Sequence, residues 1–204
     1  MDQYWNVPGY KEILNYIQVM QVLDLVFSIL KFTRNQVITT FLQVFSRIAM
    51  VLAIFPNIEK PHGPQDWQCV GIFLCLINWS MIEVIRFGFY STKEMLGDGL
   101  ITNFFGHLRY NVFIFAYILG VTGENIACYY VLQEINRLND SGLPLPWTIR
   151  MPNKWNFVFD FRSFMYISPL MYLGGFPGLY LHMWAQRAKF YGGTAKKTDE
   201  KKTN

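Results

Sequence analysis

Charge is scarce in this chain. Of its 204 residues, 16% are Asp, Glu, Lys or Arg and 52% are apolar, whereas soluble domains carry about a quarter charged residues. So little charge cannot clothe a water-soluble enzyme of this length, and so apolar a chain is not disordered. Cysteine is scarce too. Cys69, Cys75 and Cys128 all lie in apolar stretches, with no CxxC and no Cys/His spacing. That leaves no disulfide-stapled module and no zinc or iron–sulfur motif, and makes the three thiols small buried hydrophobes. Alternating apolar–polar runs are missing, so strands have no support. No internal repeat occurs, and the only biased stretch is a Lys-rich end. The first dozen residues lack a basic-then-apolar pattern, so no cleavable signal is expected there.

What is present is aromatic and apolar, with 18% Phe, Trp and Tyr. Five runs are long enough to cross a hydrocarbon core of about 30 Å at 1.5 Å per residue. They cover residues 13–30, 36–55, 67–90, 110–132 and 164–186. The second stops at Pro56, and the last is expected to be broken by Pro169, Pro177 and the Gly174–Gly175 pair. The expected fold is all-α, a polytopic transmembrane helix bundle of about five spans. It forms one domain over residues 1–190, followed by a Lys-rich polar tail over 191–204. Residues 133–162 are expected to form one long Pro-rich loop. Lys and Arg placement puts the tail, Lys31, Arg34, Lys93 and Arg109 on the cytoplasmic side. Lys11, Lys60 and the long loop fall opposite. A row of pore-lining polar groups and paired inverted repeats are both lacking, which disfavours channels and transporters. One basic tail is too little for nucleic-acid binding, and membrane lipids are the expected surroundings.

Ionisable groups inside spans cost about 2.5–3.5 kcal/mol each on insertion scales, so each is a candidate for function. Glu83 and Arg86 are three residues apart and are expected to neutralise each other. Arg47 and Asp24 are candidates for pairing between neighbouring spans. The fourth span differs. Tyr117 and Glu124 are seven residues apart, so both project from one face, and Tyr110 lies seven earlier on the same stripe. Gly120 and Gly123 remove bulk beside them, where a helix or a ligand can approach. Glu124 has no cation within one turn of its own helix, and desolvation there suits a carboxyl to proton transfer near neutral pH. The alternative is a Glu hydrogen-bonded into a packed bundle.

Ordered motifs extend this reading. "VLDLVFSILKFTRNQVITTFLQVFSR", "NWSMIEVIRFGFY", "LRYNVFIFAYILGVTGE", "MPNKWNFVFDF" and "FPGLYLHMWAQRAK" occur in that order. Together they resemble the membrane-embedded 3-hydroxyacyl-CoA dehydratases, also known as protein-tyrosine-phosphatase-like proteins, over residues 22–189. No Cys-x5-Arg phosphatase loop accompanies them. The resemblance implies loss of water from a (3R)-3-hydroxyacyl-CoA to give a trans-2-enoyl-CoA in fatty acid elongation. The catalytic Tyr and Glu then fall on Tyr117 and Glu124. It implies no cofactor beyond the CoA thioester substrate, and elongase-type partners. Arg34, Lys93, Arg109 and Gly120 are the expected substrate-binding positions, the three cations facing CoA phosphates.

The sequence departs from the family at three points. Six spans are usual and five are expected here, Ile118 stands where the family has Pro, and Phe27 stands where it has His. Loss of the Pro is expected to straighten the helix. These departures motivate an alternative, a catalytically degenerate subunit of a large membrane complex such as a mitochondrial respiratory or ATP-synthase assembly. Lys201-Lys202-Thr203-Asn204 resembles a dilysine retrieval signal, which points to the endoplasmic reticulum membrane rather than the mitochondrial inner membrane.

Overall fold

The computed structural model describes residues 9–32, 37–58 and 66–202, with no side chains at 10, 11, 39 or 193–202. The described residues are helical throughout apart from turns, caps and the segment 141–160, and an isolated bridge between Ile149 and Phe159 is their only β pairing. Five helical segments follow the expected runs. The first is broken into α1 (Tyr10–Met20) and α2 (Val22–Ile29), and α3 (Val37–Ala49) continues through a π turn, Met50–Ile54, and a 3-10 turn, Phe55–Asn57. Then come α4 (Trp67–Leu96), α5 (Leu100–Asp140) and α6 (Phe161–Lys202). Among the described residues, four stretches are long and apolar enough to cross a membrane: Glu12–Ile29, Thr40–Asn57, Trp67–Leu96 and Leu100–Asp140. The 42 residues of α6 give it ample length, but its prolines, glycines and tyrosines dilute its apolarity.

By contacts the chain divides into two compact units, residues 1–72 with 124–169, and 73–123 with 170–204. In the first unit, α1 ends at Gln21, whose N–H bonds the Gln18 carbonyl at 3.2 Å. Arg47 of α3 reaches this joint, its Nη1 donating to Gln21 Oε1 at 3.0 Å, one turn before Asp24. A polar break in an apolar helix thus receives a partner, as burial demands. The π turn precedes Pro56, which has no N–H to donate to the preceding turn. Met50, Val51, Ile54 and Phe55 beside it are buried and form the centre of this unit.

The rest of the first unit corrects two expectations. The loop is not thirty residues long, because α5 runs on to Asp140 and α6 starts at Phe161. Apolarity falls at Gln133 and Glu134, but Ala127, Val131 and Ile135 continue one fully buried stripe, and Arg137 Nε donates to Glu134 Oε2 at 2.7 Å. The end of an apolar run marks where lipid contact stops, and the helix ends only where its backbone is capped. At Gly142, φ 70°, the Leu143 N–H bonds the Leu138 carbonyl at 2.9 Å and the Gly142 N–H bonds that of Asn139 at 3.0 Å. That pattern is a Schellman cap.

The second correction is that α6 is unbroken. Pro169 cannot donate to the Met165 carbonyl one turn back. The buried Ser168 hydroxyl donates to that oxygen instead, at 3.0 Å. Asp160 starts the helix, its carboxylate accepting from the N–H of Arg162 at 3.3 Å and from the Ser163 N–H and hydroxyl at 3.2 and 2.5 Å. The Ser163 hydroxyl, followed by these backbone donors and the Arg162 charge, holds the Asp160 carboxyl below its ordinary value against a smaller opposing effect of burial.

In the second unit α4 ends at Gly97, φ 67°, whose N–H bonds the Lys93 carbonyl at 3.1 Å. The Thr102 hydroxyl donates to the Gly97 carbonyl at 2.8 Å, closing a three-residue turn into α5. Glycines then set how close the helices come. A Cβ on Gly88 would strike the Phe105 ring, and one on Gly106 would meet Phe190 Cζ at 2.6 Å and Phe89 Cε2 at 3.3 Å. The outward surface is apolar, with Phe115 at 70% and Leu173 at 73% exposed, whereas Asn78 and Thr102 are buried. Polar groups inside and apolar groups outside is the arrangement a lipid solvent selects.

Two outcomes follow from this packing. Gly106→Ala should lower stability by about 1–3 kcal/mol through overpacking, read as an earlier unfolding midpoint in detergent. Asp160→Ala should cost about 0.5–2 kcal/mol, the usual value of an N-cap. Because the folded carboxyl is held low, its contribution is present above about pH 4 and is lost as pH falls below that. Wild type and variant should therefore converge in acid, and a constant gap in midpoint from pH 7 to pH 3 would exclude the cap.

Candidate active-site helix and its basic–aromatic surroundings

The two candidate catalytic residues share α5 and fall in different compact units, with the division between Gly123 and Glu124. In the second unit, Tyr117 is half-buried and belongs to an aromatic cluster. The Phe113 ring lies 6.3 Å from that of Tyr117, 5.8 Å from Tyr180 and 5.7 Å from Trp184. Tyr180 is fixed in turn, its hydroxyl donating to the Ile114 carbonyl at 3.3 Å. Gly120 faces α4, where a Cβ would lie 3.8 Å from the Cβ of Asn78. That is ordinary contact, so Gly120 lets the helices approach without being sterically required. Asn78 is buried and satisfies its amide locally, donating to the Leu74 carbonyl at 2.7 Å.

In the first unit, Glu124 is 7% exposed and opens the buried stripe that continues through Ala127 and Cys128. The Cys128 thiol, one turn on, has the Ser168 hydroxyl as hydrogen-bond partner. A carboxyl with a thiol and a hydroxyl close by sits on the polar seam of an otherwise apolar face. All three cysteines are buried and form no disulfide among the described residues, as their apolar neighbourhoods suggested. Ile118 is accommodated in a continuous helix, its side chain exposed and its carbonyl accepting from the Thr122 hydroxyl at 2.8 Å.

The candidate cations fare differently. Arg34 lies outside the described residues. Lys93 and Arg109 are brought together around one ring, Lys93 Nζ lying 5.8 Å and the Arg109 guanidinium 5.2 Å from the centre of Phe89. Arg109 also lies 4.7 Å from the Tyr90 ring and 5.5 Å from that of Tyr110. Such contacts hold a cation in place while leaving its N–H groups available. Glu83 and Arg86 pair at 2.8 Å as the spacing suggested.

One cluster escaped the sequence reading. His107 and Asn111 on α5 meet Arg187 and Tyr191 on α6. Its signal was two polar pairs, each four residues apart on apolar helices, which places each pair on a single face. The Asn111 Oδ1 accepts from Arg187 Nη2 at 3.2 Å. Its Nδ2 donates to the Tyr191 hydroxyl and to the His107 carbonyl, both at 2.7 Å. His107 Nδ1 lies 3.0 Å from the same hydroxyl.

Comparison with known proteins places this helix in a family. The family model described as "Protein tyrosine phosphatase-like protein, PTPLA" matches residues 18–193. A Mus musculus protein named very-long-chain (3R)-3-hydroxyacyl-CoA dehydratase 1 is 33% identical over 180 residues, 88% of this chain and 59% of its own length. The very-long-chain (3R)-3-hydroxyacyl-CoA dehydratase hpo-8 of Caenorhabditis elegans is 33% identical over 184 residues, 90% of this chain and 78% of its own. Dehydratase 2 of Homo sapiens is 29% identical over 89% of this chain and 66% of its own length. The chain thus spans about three-fifths of the mouse relative it matches. No solved structure matches it. Apolar helices of spanning length and a match over most of the chain lead to one conclusion: this multi-pass membrane protein belongs to the protein-tyrosine-phosphatase-like, or PTPLA, family.

Proposed function

We propose that the chain removes water from a 3-hydroxyacyl-CoA, with Glu124 and Tyr117 as the reacting pair. The observation that carries this is a carboxyl 7% exposed on a helix of apolar surroundings, in a chain whose relatives are named dehydratases. A buried carboxyl is costly, and in a spanning helix it marks function by default. The hydrogen on C2, beside the thioester carbonyl, is the acidic one. Glu124 takes that proton, the C2–H electron pair forms the C2=C3 double bond, and the C3–O bond breaks. The Tyr117 O–H donates its proton to the departing hydroxyl, so water leaves. Return of the proton from Glu124 to the phenolate resets both groups. Atoms balance as one H and one OH lost, and no electrons are exchanged with an acceptor.

The basic residues fit the other end of such a substrate. Lys93 and Arg109, held against Phe89, present cations to CoA phosphates, with Arg34 as a third. The setting proposed is the endoplasmic reticulum membrane, in fatty acid elongation with elongase-type partners.

Two measurements test the assignment. Tyr117→Phe and Glu124→Gln should each lower the hydration–dehydration rate of purified protein by about 10²–10⁴-fold, the usual worth of a positioned acid or base. Full turnover in either variant removes that residue from the mechanism. Gly120→Ala should leave the unfolding midpoint unchanged or slightly raised, since the added methyl meets only ordinary contact and alanine favours helix. If substrate passes Gly120, kcat/KM should nevertheless fall about tenfold or more, because small displacements of reacting groups are expensive. A variant with unchanged kcat/KM places the substrate elsewhere.

A further inference from the structure

Cations among the described residues are held in different ways. Arg86 and Arg137 each hold a carboxylate on their own helix, Glu83 and Glu134. Lys93, Arg109 and Arg187 have aromatic rings and no ion pair among the described residues. All three belong to the second unit. They are joined by a continuous belt of rings. Phe89 touches Lys93 and Arg109, and Tyr110 touches Arg109 and lies 4.7 Å from Phe190. Phe190 lies 5.4 Å from Tyr191, whose ring is 5.1 Å from the Arg187 guanidinium. Three positive charges on one belt, without an ion-pair partner among the described residues, form an incomplete electrostatic arrangement.

Arg187 is the most closely held of the three. Its guanidinium lies between Trp184, at 5.2 Å, and Tyr191, and one Nη2 hydrogen goes to Asn111 Oδ1. Since arginine only donates, Asn111 must present its oxygen there and its Nδ2 to Tyr191 and His107. The Tyr191 hydroxyl then accepts from Asn111 and shares a second hydrogen bond with His107 Nδ1. Both polar atoms of the Asn111 amide are satisfied inside this network. The guanidinium keeps donors for which the described residues supply no acceptor, and its Nε is shielded without a partner among them. The network orients an arginine and leaves it unpaired, which is how a protein presents a fork to an oxyanion.

We infer that Arg187, positioned by Asn111 and Tyr191 and flanked by Arg109 and Lys93, is a binding subsite for a phosphate ester. The ester phosphates of CoA are one source and an anionic lipid headgroup is the other. The inference rests on the dehydratase reading where it takes CoA as the source. The cluster lies in the same unit as Tyr117 and is linked to it by ring contacts. Arg187 stands over Trp184, Trp184 lies 5.7 Å from Phe113, and Phe113 lies 6.3 Å from Tyr117. A thioester bound with its phosphates at Arg187 therefore has its pantetheine arm directed along an aromatic wall that ends at the phenol.

The test uses the full chain in nanodiscs. In one arm the discs are uncharged phosphatidylcholine and free CoA is titrated calorimetrically. In the other they contain phosphatidic acid without CoA, and lipid retention is read by native mass spectrometry. Arg187→Gln should weaken CoA binding about tenfold or more, and added salt should weaken wild type more steeply than the variant. Asn111→Leu, which keeps the charge and removes its tether, should give a smaller loss, and guards against misreading a folding defect. Loss of phosphatidic acid retention alone in Arg187→Gln supports the subsite with lipid as its source. Wild-type behaviour of Arg187→Gln in both arms overturns the subsite. Tyr117→Phe separates the two readings, because it should lower turnover about 10²–10⁴-fold while leaving CoA binding intact. Should it turn over normally while Arg187→Gln loses CoA, the chemistry assigned to Tyr117 fails and the phosphate subsite stands.

Discussion

A helix in hydrocarbon has no water to fall back on, so every polar group inside this bundle must find its partner in protein. The local consequences recur along the chain. Asn78 returns its amide hydrogen to Leu74, Thr92 its hydroxyl hydrogen to Gly88 at 2.7 Å, and Ser168 its own to Met165. Each bond runs three or four residues back along the same helix, where geometry guarantees an acceptor. Longer-range polar contacts are then conspicuous. Arg47 to Gln21 and Asn136 to Tyr166, at 3.1 Å, tie separate helices in the first unit. The His107–Asn111–Tyr191–Arg187 group does the same in the second. The hydrogen bonds of this last group converge on an arginine whose Nε has no partner among the described residues, which suits a binding device better than a structural staple.

Aromatic packing supplies what apolar driving force cannot. Lipid tails are as apolar as leucine, so helices associate through shape, dispersion and a few polar contacts. In the second unit shape comes from glycines facing rings, Gly88 against Phe105 and Gly106 against Phe190. The same rings carry the cations. Phe89 is at once a buried wall, a neighbour of Gly106 and the platform shared by Lys93 and Arg109. Packing and ligand electrostatics are thus borne by one set of side chains, so damage to one is expected to appear in the other.

Hydrophobic runs made the helices legible, and α4 begins at Trp67 as its run does. The extents were not. Composition reports lipid contact, whereas a helix ends at a cap, and the caps at Gly97 and Gly142 lie beyond the apolar limits of α4 and α5. The expected break in α6 failed for a related reason. Proline disrupts a helix by orphaning a carbonyl, and Ser168, adjacent in sequence, supplies the missing donor. Tyr117, Glu124, Lys93 and Arg109 were visible as exceptions to an apolar pattern. Arg187 was hidden near a polar end, where a charge is unremarkable until its neighbours in space are known.

Ile118 shows how a departure from a family pattern is absorbed. A proline there would leave the carbonyl of Ile114 without its backbone donor, since that carbonyl lies one turn before position 118. In this chain the Tyr180 hydroxyl already donates to the Ile114 oxygen. It does so although Ile118 carries an N–H of its own, within a helix that runs unbroken from Leu100 to Asp140. The carbonyl thus has a donor from α6 that an α-helix does not need and a proline-containing helix does. Tyr180 at the same time packs its ring on Phe113, beside Tyr117. The wall next to the candidate acid is therefore tied to the turn before position 118 by a hydrogen bond from α6, and it holds with isoleucine at that position.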